Sequence, residues 1–157
     1  MHALVMQLAE KLTKQNLTLV TAESCTAGGL AFALTEVPGS SNWFERGFVT
    51  YSNLSKEEML GVKKTTLSNE GAVSEQTARE MAEGALKNSN AEISISITGV
   101  AGPDGGTAKK PVGMVWFAIA GMDKETQAFV EIFQGNRESV REQSINRALR
   151  GLLDFIK

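Results

Sequence analysis

Four short stretches of this chain carry side chains and backbone patterns that could do chemistry. The first is Thr21-Ala22-Glu23-Ser24-Cys25-Thr26-Ala27-Gly28-Gly29, where small hydroxyl residues fall at an expected junction of strand and helix. Ligands in open α/β sheets bind outside the carboxyl ends of strands, and backbone N–H groups there can hold a phosphate or a developing oxyanion. Spacing alone allows Ser24 to be a nucleophile or simply the N-cap of the next helix. The second is Tyr51-Ser52-Asn53-Leu54-Ser55-Lys56, a strand end followed by the first turns of a helix. A lysine whose pKa is lowered by burial can act as a base toward a serine, and a strand-end tyrosine can relay the proton or orient that base. The third, Thr98-Gly99-Val100-Ala101-Gly102-Pro103-Asp104-Gly105-Gly106, is a Gly-rich loop whose amides can wrap an anion, or a plain surface loop. It matches neither a P-loop nor a dinucleotide fingerprint. The fourth is Arg137, at a further strand-to-helix junction, where its guanidinium can fork onto phosphate or carboxylate.

What is scarce narrows the chemistry further. The only histidine is His2 and the only cysteine is Cys25. A Ser-His or Cys-His pair would have to recruit a terminal residue, and Cys25 without a histidine beside it reads as a small buried residue. His2 and Cys25 fall short of the three or four ligands of a zinc site, so no metal and no cofactor is expected. A single cysteine makes no intramolecular disulfide. The formal net charge of −2 and the lack of a basic stripe argue against direct contact with nucleic acid. No run of 18 apolar residues is present and the start is amphipathic rather than signal-like, so no membrane association and a cytoplasmic location are expected.

The elements that must position these residues follow from periodicity. Leu4, Val5, Leu8 and Leu12 mark a helix over 2–15, and Leu17–Ala22 a buried strand. A helix is expected from Cys25 to about Val37, a strand over Gly47–Tyr51 and a short helix over 53–60. Ser74 caps a helix to Lys87 with a stripe of Ala78, Met81, Ala82 and Ala85. Ile93, Ile95 and Ile97 alternate with Ser94, Ser96 and Thr98 in a strand. Strands over Val112–Ala120 and Thr126–Phe133 form a hairpin around Gly121-Met122-Asp123-Lys124, and a helix over 138–156 follows. Interleaved helices and strands with a late hairpin predict an α/β fold, a three-layer α/β/α sandwich with a mixed β-sheet. One domain over 1–157 is expected, since 157 residues suit a single core.

Taken together and in this order, TAESCTAGG (21–29), VPGSSNWFERGFVTYSNLSKEEMLGV (37–62), GAVSEQTAREMAEGA (71–85), ITGVAGPDGGTAKKPVG (97–113) and GNRESVREQSINRAL (135–149) resemble the CinA C-terminal domain family. The resemblance covers nearly the whole chain and corresponds to the family's single-domain form. It implies a metal-independent Ser/Lys amidohydrolase that converts nicotinamide mononucleotide to nicotinic acid mononucleotide plus ammonia, in pyridine nucleotide salvage. On that resemblance Ser24 is the nucleophile, Lys56 the general base and Tyr51 its assistant. Cys25, Thr26, Thr98, Gly99, Gly102 and Arg137 are the substrate-binding residues, with the amides of Cys25–Ala27 stabilising the oxyanion at a helix start. Two positions depart from the common pattern: Asn136 stands where an aspartate is usual, and Ala27 where a glycine is frequent. The implied partners are a small-molecule nucleotide and a second copy of the chain, a homodimer being favoured among homo-oligomers. The alternatives are a non-catalytic nucleotide-binding domain, a competence- or DNA-damage-linked interaction domain, or an amidase for a different carboxamide.

Overall fold

A computed structural model describes residues 1–157. Its sheet is built from β1 (Leu19–Glu23), β2 (Phe44–Val49), β3 (Ile93–Gly99), β4 (Met114–Gly121) and β5 (Lys124–Ile132), in the order β2-β1-β3-β4-β5. β1 is parallel to both neighbours, while β3–β4 and β4–β5 are antiparallel, so the sheet is mixed as expected. One face is covered by α1 (His2–Gln15), α2 (Gly29–Thr35) and α6 (Arg137–Phe155). The other is covered by α5 (Glu75–Lys87), flanked by α3 (Asn53–Leu60) and α4 (Lys64–Glu70).

The side-chain alternation of the strands divides two cores. Leu19, Ile93, Ile95, Ile97, Val115, Phe117 and Ile119 pack with Leu8, Leu12, Leu30, Leu149 and Leu152 beneath α1, α2 and α6. Val20 and Ala22 point the other way, toward Met81 and Ala85 of α5. The hydroxyl half of β3 is buried too: Ser94 Oγ donates to the Ala82 carbonyl and Ser96 Oγ to that of Ala78, each at 2.6 Å. The alanine stripe of α5 is what allows this. With no long side chains between helix and strand, the Ser94 and Ser96 hydroxyls reach the helix backbone and neither is left unpaired.

Several boundaries differ from the sequence reading. β1 begins at Leu19 rather than Leu17, and β2 begins at Phe44 rather than Gly47. α2 begins at Gly29 rather than Cys25, because Ala27 and Gly28 both adopt positive φ (48° and 90°) and interrupt the helix. The helix α4, with the composition KTTLSNE, has almost no apolar periodicity; Glu80 of α5 ties it down by accepting from Lys63 N at 2.8 Å and Thr66 Oγ1 at 2.7 Å. The hairpin turn falls at the expected place, with Met122 and Asp123 both left-handed (φ 56° and 53°), the geometry of a two-residue type I′ connection.

One close approach positions the helix that carries Lys56. A Cβ added at Gly84 of α5 would overlap the carbonyl oxygen of Leu60, the last residue of α3. Gly84→Ala is therefore expected to push α3 away, costing about 2–3 kcal/mol of stability. Because α3 carries Lys56, the side chain should be displaced as well; chemical denaturation of the variant checks the stability loss.

Candidate active site

The site lies where three parallel strands end side by side. The ladder fixes their relative depth: Glu23 pairs with Val49 of β2 and with Ile97 of β3. One residue further on, Ser24 N donates to the Ile97 carbonyl and Thr50 N to the Glu23 carbonyl, both at 2.9 Å. Ser24, Thr50 and Thr98 therefore leave the sheet at one level, each immediately beyond or at the carboxyl end of its strand.

Lys56 comes to this level from α3. Ser52 caps that helix by accepting from Ser55 N, and Lys56 lies in its first turns with its side chain directed back under the strand ends. Its Nζ is 3.0 Å from Ser24 Oγ, 2.8 Å from the Thr50 carbonyl and 3.4 Å from the Tyr51 carbonyl. The side chain is 1% exposed and no carboxylate forms an ion pair with it. Desolvation by this burial pulls the ammonium down from its ordinary value to about 8. A buried lysine with no counter-charge, touching a hydroxyl that is itself 8% exposed, is an amine poised to take a proton at mildly alkaline pH.

The turn after Ser24 is not a helix start. Ala27 N donates back to the Ser24 carbonyl at 3.0 Å and Gly29 N to that of Thr26 at 2.9 Å. The N-cap of α2 is Gly28, and Ser24 does not cap it. The reading of Cys25–Ala27 as a helix N-terminus is corrected accordingly: the Ala27 amide is consumed within the turn, while those of Cys25 and Thr26 have no intramolecular acceptor. The Cys25 thiol lines the cavity but burial pushes its pKa up to about 11, so it is protonated and a poor nucleophile at neutral pH.

A cavity of about 280 Å³ opens over Ser24, and Cys25, Tyr51, Lys56, Thr98, Gly99, Gly102 and Arg137 all line it. Thr26 alone of the expected residues does not: its hydroxyl turns away and donates to Glu23 Oε1 at 2.7 Å. Thr98 Oγ1 donates to the Ala72 carbonyl at 2.8 Å, joining β3 to the segment that leads into α5. Arg137 opens α6, whose N-cap Asn136 accepts from Ser139 N at 2.9 Å. An aspartate at 136 could make the same cap, so the departure at that position is accounted for locally.

Tyr51 is placed differently from expectation. Its phenol accepts from Arg137 Nη2 at 3.0 Å, while Arg137 Nη1 donates to the Gly102 carbonyl at 2.9 Å. Lys56 meets the backbone of Tyr51, not its ring, and the 59% exposed side chain forms the rim of the cavity together with the guanidinium. The phenol thus stands at the rim, and the contact between Lys56 and Tyr51 runs through the backbone carbonyl.

Several lining residues were not among the expected site residues. Asp104 lines the cavity from the Gly-rich loop, and Ala72 and Val73 close its side from the stretch before α5. Asp104 was visible within the loop as the one carboxylate among glycines; nothing in the sequence marks Ala72 or Val73.

Comparison with known proteins places the chain in a family. The family model for the CinA C-terminal domain matches residues 1–156. The nicotinamide-nucleotide amidohydrolase PncC of Enterobacter agglomerans is 48% identical over 158 residues, spanning 100% of this chain and 96% of its own. The protein of the same name from Escherichia coli K12 is 51% identical over 146 residues, spanning 93% of this chain and 88% of its own. Among solved structures, the competence/damage inducible protein CihA from Agrobacterium tumefaciens superposes with a TM-score of 0.96 at 41% identity, over 99% of this chain and 95% of that one. With its strand-end serine and buried lysine set in a fold shared along the whole length of these proteins, the chain belongs to the CinA C-terminal domain family.

Proposed function

We propose that this protein is a hydrolase of a carboxamide C–N bond, converting nicotinamide mononucleotide to nicotinic acid mononucleotide and ammonia through Ser24 and Lys56. The observation that carries this reading is the 3.0 Å contact between Ser24 Oγ and the buried, unpaired Lys56 amine. The names of the relatives, nicotinamide-nucleotide amidohydrolases at 48% and 51% identity, supply the substrate.

In the cycle, neutral Lys56 takes the Ser24 proton as Oγ attacks the carboxamide carbon. The resulting oxyanion is met by the free amide of Cys25, which lines the cavity beside Ser24, a contribution of about 2.7–4 kcal/mol for a well-placed donor. The Lys56 ammonium then protonates the departing nitrogen, the C–N bond breaks, and ammonia leaves behind a nicotinoyl ester on Ser24. Water, deprotonated by the same amine, attacks the ester, and the acid departs as Ser24 regains its proton. Arg137 on the rim and the loop backbone around Gly99 and Gly102 receive the phosphate. Asp104 faces the rest of the nucleotide, which carries a pyridinium cation and a ribose diol.

Ammonia release from nicotinamide mononucleotide by the purified protein, with EDTA present, tests the reading; a folded protein without turnover would overturn it. The same assay gives a pH prediction. The base must be neutral in the free enzyme, so kcat/KM is expected to rise with pH as Lys56 deprotonates and to level off above about 8. A profile flat from pH 6 to 9 would remove Lys56 as the base.

A further inference from the structure

Glu23 precedes the nucleophile and is 1% exposed, yet nothing in the reaction cycle uses its carboxylate. It ends β1 on the face that looks toward α2, because Val20 and Ala22 occupy the opposite face, against α5. From there the side chain runs beneath the Ser24–Gly28 turn. Oε1 accepts from Thr26 Oγ1 at 2.7 Å and Leu30 N at 2.8 Å, and Oε2 accepts from Ala31 N at 3.0 Å. These three donors come from the middle of the turn and from the first residues of α2, which has no side-chain cap of its own. The backbone of Glu23 is held as firmly, its carbonyl accepting from Thr50 N and its neighbour Ser24 donating to Ile97.

The consequence concerns the turn itself. Between Ser24 and Gly29 the chain passes through two consecutive left-handed residues, Ala27 and Gly28, and only two backbone hydrogen bonds close it, Ala27 to Ser24 and Gly29 to Thr26. A non-glycine residue in the left-handed region is disfavoured and persists only where surrounding contacts enforce it. The Glu23 carboxylate supplies such contacts by fixing Thr26 from one side and Leu30 and Ala31 from the other.

We propose that Glu23 is a positioning residue: its buried carboxylate locks the Ser24–Gly28 turn so that Ser24 Oγ and the Cys25 amide hold the geometry the transition state needs. The proposal rests on Ser24 being the nucleophile, not on the identity of the amide substrate. A carboxylate, with acceptors only, suits three converging donors; a carboxamide of the same shape presents an NH₂ group to at least one of them.

The test compares Glu23→Gln with wild type for turnover of nicotinamide mononucleotide and for the rate at which a fluorophosphonate probe labels Ser24, read by mass spectrometry. Expected is a fall of about 10- to 100-fold in kcat with KM within about twofold, and a parallel fall in labelling rate, in a protein whose circular dichroism is unchanged. If wild type labels at Ser24 but does not turn over the nucleotide, the substrate reading fails and the labelling comparison still decides the role of Glu23. Unchanged labelling in folded Glu23→Gln, or a rise in KM with kcat intact, would overturn the proposal. Should Glu23→Gln fail to fold, Thr26→Val decides: it removes one of the three donors, and a fall of threefold or more in labelling rate supports the role while an unchanged rate refutes it.

Discussion

Ser24→Ala is expected to lower kcat by about 10⁴- to 10⁶-fold, the range seen when the nucleophile of a serine hydrolase is removed. The neighbours of Ser24 explain why no rescue should occur. Cys25 is the adjacent side chain, but its thiol is buried and held at about 11, so the thiolate is scarce at neutral pH. Thr26 directs its hydroxyl at Glu23, and that of Thr98 is committed to the Ala72 carbonyl. Water would be the only remaining acceptor of activation by Lys56. Binding should survive, since Arg137 and the Gly-rich loop are untouched and the missing hydroxyl is small. Isothermal titration with nicotinamide mononucleotide and a sensitive ammonia assay separate the two effects. Retained turnover would move the nucleophile elsewhere, Cys25 first. A variant that binds and functions as well as wild type would instead describe a nucleotide-binding domain.

Lys56→Met is expected to abolish turnover and to make the protein more stable at pH 7. The methionine keeps the apolar stem of the lysine but removes a cationic head from a site where it has no counter-charge. Two contributions oppose one another. The hydrogen bonds from Nζ to Ser24 Oγ and to the Thr50 carbonyl are lost, each worth about 1 kcal/mol. The desolvation of the ammonium, several kcal/mol for a buried ion, is lost as well and should prevail. A net gain of about 1 kcal/mol would raise the melting temperature by about 2–4 °C. The pH dependence identifies the cause. Lys56 has a folded-state pKa of about 8, below the ordinary value of 10.5, so the unfolded chain binds more protons between those limits. Wild-type stability should therefore gain from this group as pH rises from about 8 to 10.5, and the advantage of Lys56→Met should be largest below pH 8 and shrink above it. Melting curves at pH 7 and pH 10 check the sign; a variant less stable than wild type at pH 7 would show that the amine is well solvated or paired after all.

Much of this arrangement was legible in the sequence, for reasons that differ by element. The helix over 2–15 and the Ser74-capped helix were announced by periodic apolar residues and, in the second, by an N-cap whose Oγ does accept from Thr77 N. The β4–β5 hairpin followed from a Gly-Met-Asp-Lys tract between apolar runs. The start of α2 was misplaced because small residues look helical locally, whereas Ala27 is held left-handed by contacts from elsewhere, including the carboxylate under the turn. Helix α4 was missed because its stability resides in Glu80 of another helix rather than in its own pattern. In the site, residue types pointed to a serine and a lysine, but no local rule pairs positions 24 and 56; the parallel register of β1 and β2 does that. The family resemblance suggested the pairing, and the distance of 3.0 Å gives it a physical basis. The phenol of Tyr51 could not be placed in advance, since its partner Arg137 lies 86 residues further along the chain.

The seating of Ser24 and Thr50 on the sheet ladder has a consequence for how this protein wears out. The Ser24 amide is bonded across from β1 to β3 and the Thr50 amide ties the edge strand β2 to β1, so their exchange with solvent deuterium requires strands of the sheet to part rather than a loop to swing open. The floor of the cavity therefore has no private melting transition. Loss of the Ser24–Lys56 pair and loss of the fold are one event, and heating should inactivate the protein along the same curve that unfolds it.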